Sequence, residues 1–206
     1  MEKSTSLQHY VRGPHRRGEI AKAARTLIVE KGYAALRTRD VAERVGISLS
    51  TMHFHVATKS DLVALVAETT MDAFLSLLPP APSPDMPAQK QLRTEVQAYY
   101  DSLLEHGELA ACYVQLTQAA SDEPRIRPML EAFEQGWSQR FADILHIGRE
   151  QGVFRANVSP LPAALVITGA LTAFGTRGPG KLEMFWPVFD EIERGLLAID
   201  PKGKDT

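Results

Sequence analysis

The chain has 206 residues, 44% apolar and 23% charged, which suits one large or two small folded domains and excludes a disordered polymer. Its formal net charge of −2 hides an asymmetry: Met1 to Asp61 carries eleven Lys/Arg against six Asp/Glu, and the remainder twelve against nineteen, so a basic first third precedes an acidic rest. The N-terminal stretch has basic residues but no apolar run and does not read as a secretory signal, the single Cys112 excludes an intrachain disulfide, and the longest apolar stretch, Leu161 to Phe174, is broken by Pro162 and Gly169 and falls short of the roughly 20 residues that span a bilayer, so a cytoplasmic protein without a membrane partner is expected.

Apolar residues recur at helical spacing throughout, and no run alternates with the β-branched enrichment of a strand, so the chain reads as all-α with about nine helices. Ile20, Ala23, Ala24, Leu27 and Ile28 form a stripe that predicts a helix from about Arg16 to Lys31, stopped by Gly32. A short helix follows over Thr38 to Val45 and ends at Gly46. Ser48 caps a third that runs to about Val56. Thr58 caps a fourth that continues to Leu78, with Asp61 in the capping-box position. Five prolines between Pro79 and Gln89 forbid helix there and mark a linker. Further helices are predicted at about Ala88 to Glu105, Glu108 to Ala120, Arg125 to Gln151, Pro160 to Thr176 and Lys181 to Ile199, the last with a kink or a late start imposed by Pro187.

The two short helices carry the specific signal. Two helices crossing at about 90 to 120° through a turn of three or four residues need a small side chain at the crossing, a turn residue tolerant of positive φ, and apolar residues on the facing sides. Ala42, Gly46 and the set Val41, Val45, Ile47, Met52 supply these in order, which is the pattern of a DNA-reading helix-turn-helix. The basic first third is the electrostatic footprint such a module needs.

The stretch GYAALRTRDVAERVGISLSTMHFHVATKSDL, within a match spanning roughly Arg16 to Leu65, resembles the N-terminal domain of TetR-family transcriptional regulators. The run Thr51, Met52, His53, Phe54, His55, Val56, Ala57, Thr58, Lys59 is similar to the family's passage from recognition helix into helix four; Leu36-Arg37, Ser50 and His53 depart from its usual residues. The resemblance implies a three-helix DNA-binding domain over residues 1–60 and a helical effector-binding and dimerisation domain over 61–206, with helix 61–78 as connector. It also implies a repressor that binds a palindromic operator as a homodimer and is released by a small, largely apolar effector.

On a recognition helix, phosphates are held by donors and bases are read by side-chain edges. Ser48, Leu49, Ser50, Thr51, His53 and Phe54 are assigned to that face, with Leu49 and Phe54 suited to thymine methyl groups and His53 to a phosphate; Met52 and Val56 are assigned to the core, and His55 to packing. Arg37, Thr38 and Arg39 at the start of the second helix and Arg16 and Arg17 before the first are placed to see the backbone. Lys59, at a helix N-terminus that itself attracts anions, resembles the family's phosphate-contacting lysine.

A single helix-turn-helix reads few base pairs, and two-fold pairing doubles the reading, so a dimer surface is expected on the last two helices: Leu165, Leu171, Phe174, Phe185, Phe189, Ile192 and Leu196. By resemblance, an effector cavity is expected among Tyr99, Tyr100, Leu103, Cys112, Tyr113, Met129, Phe133, Trp137 and Phe141. No cofactor, metal or catalytic site is expected: His53 and His55 point about 200° apart on a helix, and no nucleophile elbow or phosphate-cradling glycine loop is present. The rival reading is an all-helical small-molecule-binding or catalytic protein without DNA-binding activity.

Overall fold

The computed structural model describes residues 4–176 and 182–198, with side chains from residue 15 onward. Among them are nine α-helices, one short 3-10 turn and no strand beyond an isolated bridge between Phe154 and Leu197. The helices are α1 (Ser4–Lys31), α2 (Thr38–Val45), α3 (Leu49–His55), α4 (Lys59–Leu77), α5 (Ala88–Glu105), α6 (Gly107–Ala119), α7 (Arg127–Glu150), α8 (Pro160–Gly175) and α9 (Phe185–Leu196), with the 3-10 turn at Tyr33–Ala35. Chain contacts group them into two compact units, Met1–Ser76 with Glu108–Glu131, and Leu77–Gly107 with Ala132–Thr206.

In the first unit α1 packs on α2 and α3 through the predicted stripe: Ile20, Ala24, Leu27 and Ile28 are buried, together with Leu36, Val41, Ala42, Met52 and Val56. Burying such side chains contributes about 1.5–3 kcal/mol each. Helix α4 is apolar on nearly all sides, with every residue from Leu62 to Ala67 buried, and Leu109, Cys112 and Leu116 of α6 extend this core. Cys112 is fully buried against the Thr70 hydroxyl, 3.9 Å away, and burial pushes its thiol up to about 11. It is a core residue, not a nucleophile.

The second unit holds α5, most of α7, α8 and α9 around Leu92, Val96, Phe141, Ile144, Leu145, Ile167, Leu171, Phe174, Phe185 and Phe189. Gly148 of α7 leaves room for the Cδ2–Cε2 edge of the Phe154 ring; a Cβ there would come within 2.1 Å of it. Arg93 of α5 holds α9 by ion pairs to Asp190, at 2.8 Å, and to Glu193.

The proline-rich segment is as non-helical as its composition requires, and it is pinned. Prolines lack N–H donors, so the segment's carbonyls need donors from elsewhere. Arg140 donates to the carbonyls of Pro79 (2.9 Å) and Pro80 (3.1 Å). Gln91 donates to those of Ser83 and Met86, and Gln151 to those of Pro84 and Met86.

The first and last helices carry the largest boundary differences, and for the last the late start allowed for by Pro187 holds rather than the kink. Helix α1 begins at Ser4 rather than near Arg16, running through Gly13 and Pro14, residue types that in a sequence ordinarily mark a helix break. Helix α9 runs over Phe185–Leu196 without a break at Pro187, which sits in the first turn, where an N–H has no helical partner to lose. It ends because the backbone turns to pair with the chain after α7: Arg155 N–H donates to Leu196 O and Ala198 N–H to Val153 O, both at 3.0 Å. The expected ends of that helix at Lys181 and Ile199 lie outside the described residues.

Candidate nucleic-acid interface

Local sequence builds the helix-turn-helix step by step. Helix α2 ends in a left-handed Gly46 (φ 73°, ψ 35°), whose N–H donates to Glu43 O at 3.1 Å while Ile47 N–H donates to Ala42 O at 3.0 Å. This doubled closure turns the chain sharply and needs a residue at ease with positive φ. The Ser48 hydroxyl then accepts from Thr51 N–H at 3.0 Å, capping α3. At the far end of α3, Thr58 and Asp61 exchange side chain and backbone, with Thr58 N–H to Asp61 Oδ2 at 3.1 Å and Asp61 N–H to Thr58 Oγ1 at 3.0 Å. Hydrogen bonds from Thr58, and then the Arg125 guanidinium, hold the Asp61 carboxyl below the ordinary range.

The seven residues of α3 divide cleanly. Met52 is fully buried and Val56, just after the helix, nearly so. Leu49 is 43% and Phe54 81% exposed, and Ser50, Thr51 and His53 are exposed as well. A phenylalanine so open to water, beside two hydroxyls and an imidazole, is costly for the isolated chain and suits a surface that meets bases. The His53 Nδ1 lies 3.1 Å from the Ala57 carbonyl; as the donor in that bond it leaves Nε2 outward. His55 is half-buried and edge-on to Phe54 at 5.2 Å; burial, then the charges of Arg16 and Arg17, push its pKa down and keep the ring neutral.

The basic residues do not all point to one task. Arg37 and Arg39 are exposed, and Thr38 between them is half-buried. Arg16 is paired with Glu19 at 2.7 Å. Arg17 donates to the His55 carbonyl at 2.8 Å, so it closes the end of α3 from α1. Lys59 folds back on the turn after α1: its ammonium lies 3.3 Å from Tyr33 O, 3.4 Å from Ala34 O and 4.6 Å from the centre of the Tyr33 ring. Neither role was visible in the sequence, because each partner is more than twenty residues away.

The residues expected to line an effector cavity divide between the units. Cys112, Tyr113 and Met129 belong to the first; Tyr99, Tyr100, Leu103, Phe133, Trp137 and Phe141 belong to the second. There Tyr99 and Trp137 meet at 5.0 Å and Trp137 and Phe141 at 5.5 Å, and the cluster continues through Phe185 to Phe174 and Trp186, three rings the sequence reading did not assign to it. Another face of α5 carries an open groove of about 690 Å³, whose lining includes Lys90, Arg93, Gln97 and Asp101; none of its residues is among those expected for an effector.

Of the residues expected at a dimer surface, Leu165 is 56% exposed and Ile192 half-buried. Leu171, Phe174, Phe185, Phe189 and Leu196 are buried inside their own unit and have no surface left to offer. The open apolar residues of α8 and the approach to α9 are instead Leu161 (48%), Leu165, Val166 (62%) and Met184 (57%). Among the described residues no group of three or more His, Cys, Asp or Glu is placed to hold a metal, and no helix is long and apolar enough to cross a membrane.

Residues 20–66 match the family model described as bacterial regulatory proteins, tetR family. The chain is 23% identical over 143 residues to the HTH-type transcriptional repressor KstR2 of Mycobacterium tuberculosis, covering 69% of this chain and 71% of that one. It is 30% identical over 91 residues to the HTH-type transcriptional activator FasR of Mycolicibacterium smegmatis, covering 44% and 41%. Its fold is similar to that of a transcriptional regulator of Saccharomonospora viridis solved in complex with choline, with a TM-score of 0.75 at 21% identity over 90% of this chain and all of that one. The helix-turn-helix geometry and the matched segment agree: residues 20–66 form a DNA-binding segment of the tetR-family type, and the relatives named above are transcriptional regulators.

Proposed function

We propose that this regulator binds a palindromic operator as a homodimer in the cytoplasm, represses transcription there, and is released by a small, largely apolar effector. Residues 1–60 form the reading head, and 61–206 receive the effector and the second subunit. The observation that carries the reading is the division of α3, with Met52 inside and Leu49, Ser50, Thr51, His53 and Phe54 outside. Arg37, Thr38, Arg39 and Ser48 flank that face and suit the phosphates on either side of the groove. Arg16, Arg17 and Lys59 act at its edge, the latter two first as braces of the head.

A phosphate-anchored complex releases counterions, so affinity for duplex DNA should fall about 10³-fold between 50 and 200 mM salt if six phosphates are contacted. Fluorescence anisotropy on duplexes selected from a random pool measures this. A flat salt response, or no selected duplex, favours the rival small-molecule-binding protein.

Dimerisation is supported by the open apolar residues Leu161, Leu165, Val166 and Met184. Val166→Asp places a charge there without touching the subunit core. It should raise the dimer dissociation constant at least about 100-fold in sedimentation velocity, with the melting of the subunit itself unchanged. An unchanged sedimentation profile removes this face from consideration.

Effector binding is supported by the ring cluster of the second unit, where Tyr99, Tyr100 and Trp137 are only partly buried and so keep ring surface open to a ligand. Two similar proteins are named with small molecules: KstR2 as a ketosteroid transcriptional regulator, and the Saccharomonospora viridis protein in complex with choline, a small cation. A coupling of about 1 to 3 kcal/mol between that site and the head changes operator affinity roughly 5- to 150-fold.

A further inference from the structure

We infer that Glu123, in the turn between α6 and α7, is the positioning residue of the DNA-reading head: its carboxylate ties the joint between α1 and α2 to the first turn of α4. Glu123 Oε1 accepts from the Tyr33 hydroxyl at 2.6 Å, and Oε2 from the Ser60 hydroxyl at 2.9 Å. Both are charge-assisted bonds between half-buried partners, which makes them short and directional.

Tyr33 is the node through which this acts. Its N–H donates to Gln115 Oε1 of α6 at 3.3 Å, its ring and carbonyl hold the Lys59 ammonium, and its carbonyl also accepts from Leu36 N–H at 3.1 Å. Arg37, the residue that precedes α2 as its N-cap, follows Leu36 directly. A shift of Tyr33 therefore moves the start of α2 and the first turn of α4 together. Two further ties run parallel. Arg125 of the same turn pairs with Asp61, the capping carboxylate of α4, and Glu108 of α6 accepts from Thr26 of α1 at 2.8 Å. Every partner lies in the first compact unit. The turn thus grips the head at both places where the recognition segment joins the rest of that unit.

The consequence rests on the dimeric, DNA-binding reading. A head free to pivot still binds one half-site, since α3 and its caps are untouched. Two pivoting heads lose the fixed separation that lets both half-sites bind at once, and they pay for it in ordering. Glu123→Ala is therefore expected to weaken binding to a duplex with both half-sites about tenfold, while affinity for a duplex with one half-site stays within about twofold of wild type. Glu123→Gln, whose amide can accept from one hydroxyl and donate to the other, should restore most of the loss. Tyr33→Phe and Ser60→Ala should each give part of it and add nothing in the Glu123→Ala background.

The test is anisotropy titration of the full-length chain with both duplexes, taken from those selected with wild type. Equal affinity of Glu123→Ala and wild type for the two-half-site duplex overturns the inference. So does an equal loss on both duplexes, which marks a general weakening of the fold, and so does failure of Glu123→Gln to recover. A wild type that binds neither duplex, or both equally, overturns the dimeric DNA-binding reading first and this inference with it.

Discussion

Arg140→Ala is expected to destabilise the second unit by about 3–5 kcal/mol, the cost of leaving a buried charge without its partner. The guanidinium grips Glu95 with two bonds, Nε to Oε1 at 2.7 Å and a terminal nitrogen to Oε2 at 2.8 Å, and the Glu95 side chain is only 2% exposed. The same terminal nitrogen reaches the carbonyls of Pro79 and Pro80. Removal of Arg140 strands a carboxylate and two carbonyls at once, and water reaches the carboxylate poorly. Glu95→Ala should cost less, because the guanidinium keeps both carbonyls and is 18% exposed. Replacing both, as Glu95→Leu with Arg140→Met, should recover much of the loss by exchanging the pair for apolar packing. Urea unfolding followed by tryptophan fluorescence reads this well, since Trp137 and Trp186 both lie in the second unit. The control is Arg194→Ala: that residue is paired with Glu191, both side chains are about 70% exposed, and solvent screens the pair, so no measurable change is expected. A loss for Arg140→Ala as small as the control's would show that the Glu95 carboxylate is hydrated in solution.

What the sequence made legible is what depends on neighbours along the chain. Gly46, Ser48, and Thr58 with Asp61 close or cap helices through bonds spanning three to five residues, so residue type and spacing were enough to place them. The division of α3 was legible for the same reason, because a buried Met52 and an exposed Phe54 follow from helical periodicity once the crossing at Ala42 is recognised. The covering of α8 and α9 was not. The four-three stepping of Phe185, Phe189, Ile192 and Leu196 says that a face is buried, and not whether its own unit or a partner buries it. Helix α8 is apolar on most sides, so no polar stripe marks Leu165 and Val166 as the outward face. The roles of Arg17, Lys59, Glu123 and Arg140 depend on partners 25 to 90 residues away, and in the sequence each is only a charge near a break or on a helix.

A pair of substitutions two residues apart separates folding from reading. Met52→Asp puts a carboxylate where the side chain has no exposure, against the buried faces of α1 and α2. Such a group must be desolvated, protonated or expelled, and expulsion turns α3 off its seat. A cost of about 3 kcal/mol or more is expected, felt as loss of protected amides in α2 and α3 by hydrogen exchange while the tryptophan-reported unit keeps its transition. DNA binding is lost with it. Phe54→Asp, at a side chain 81% exposed, removes only the exposed edge contact with His55, so stability should stay within about 0.5 kcal/mol of wild type. Its binding should nevertheless fall at least about 100-fold, because the ring that would meet a thymine methyl is gone and a negative charge faces the phosphates. Phe54→Leu, apolar and uncharged, should fall between the two. The combination tells the cases apart where either variant alone does not: lost binding in Met52→Asp shows only that the head must fold. Lost binding in a fully folded Phe54→Asp requires that this face touch the duplex, and normal binding by that variant would mean the DNA is read from another surface.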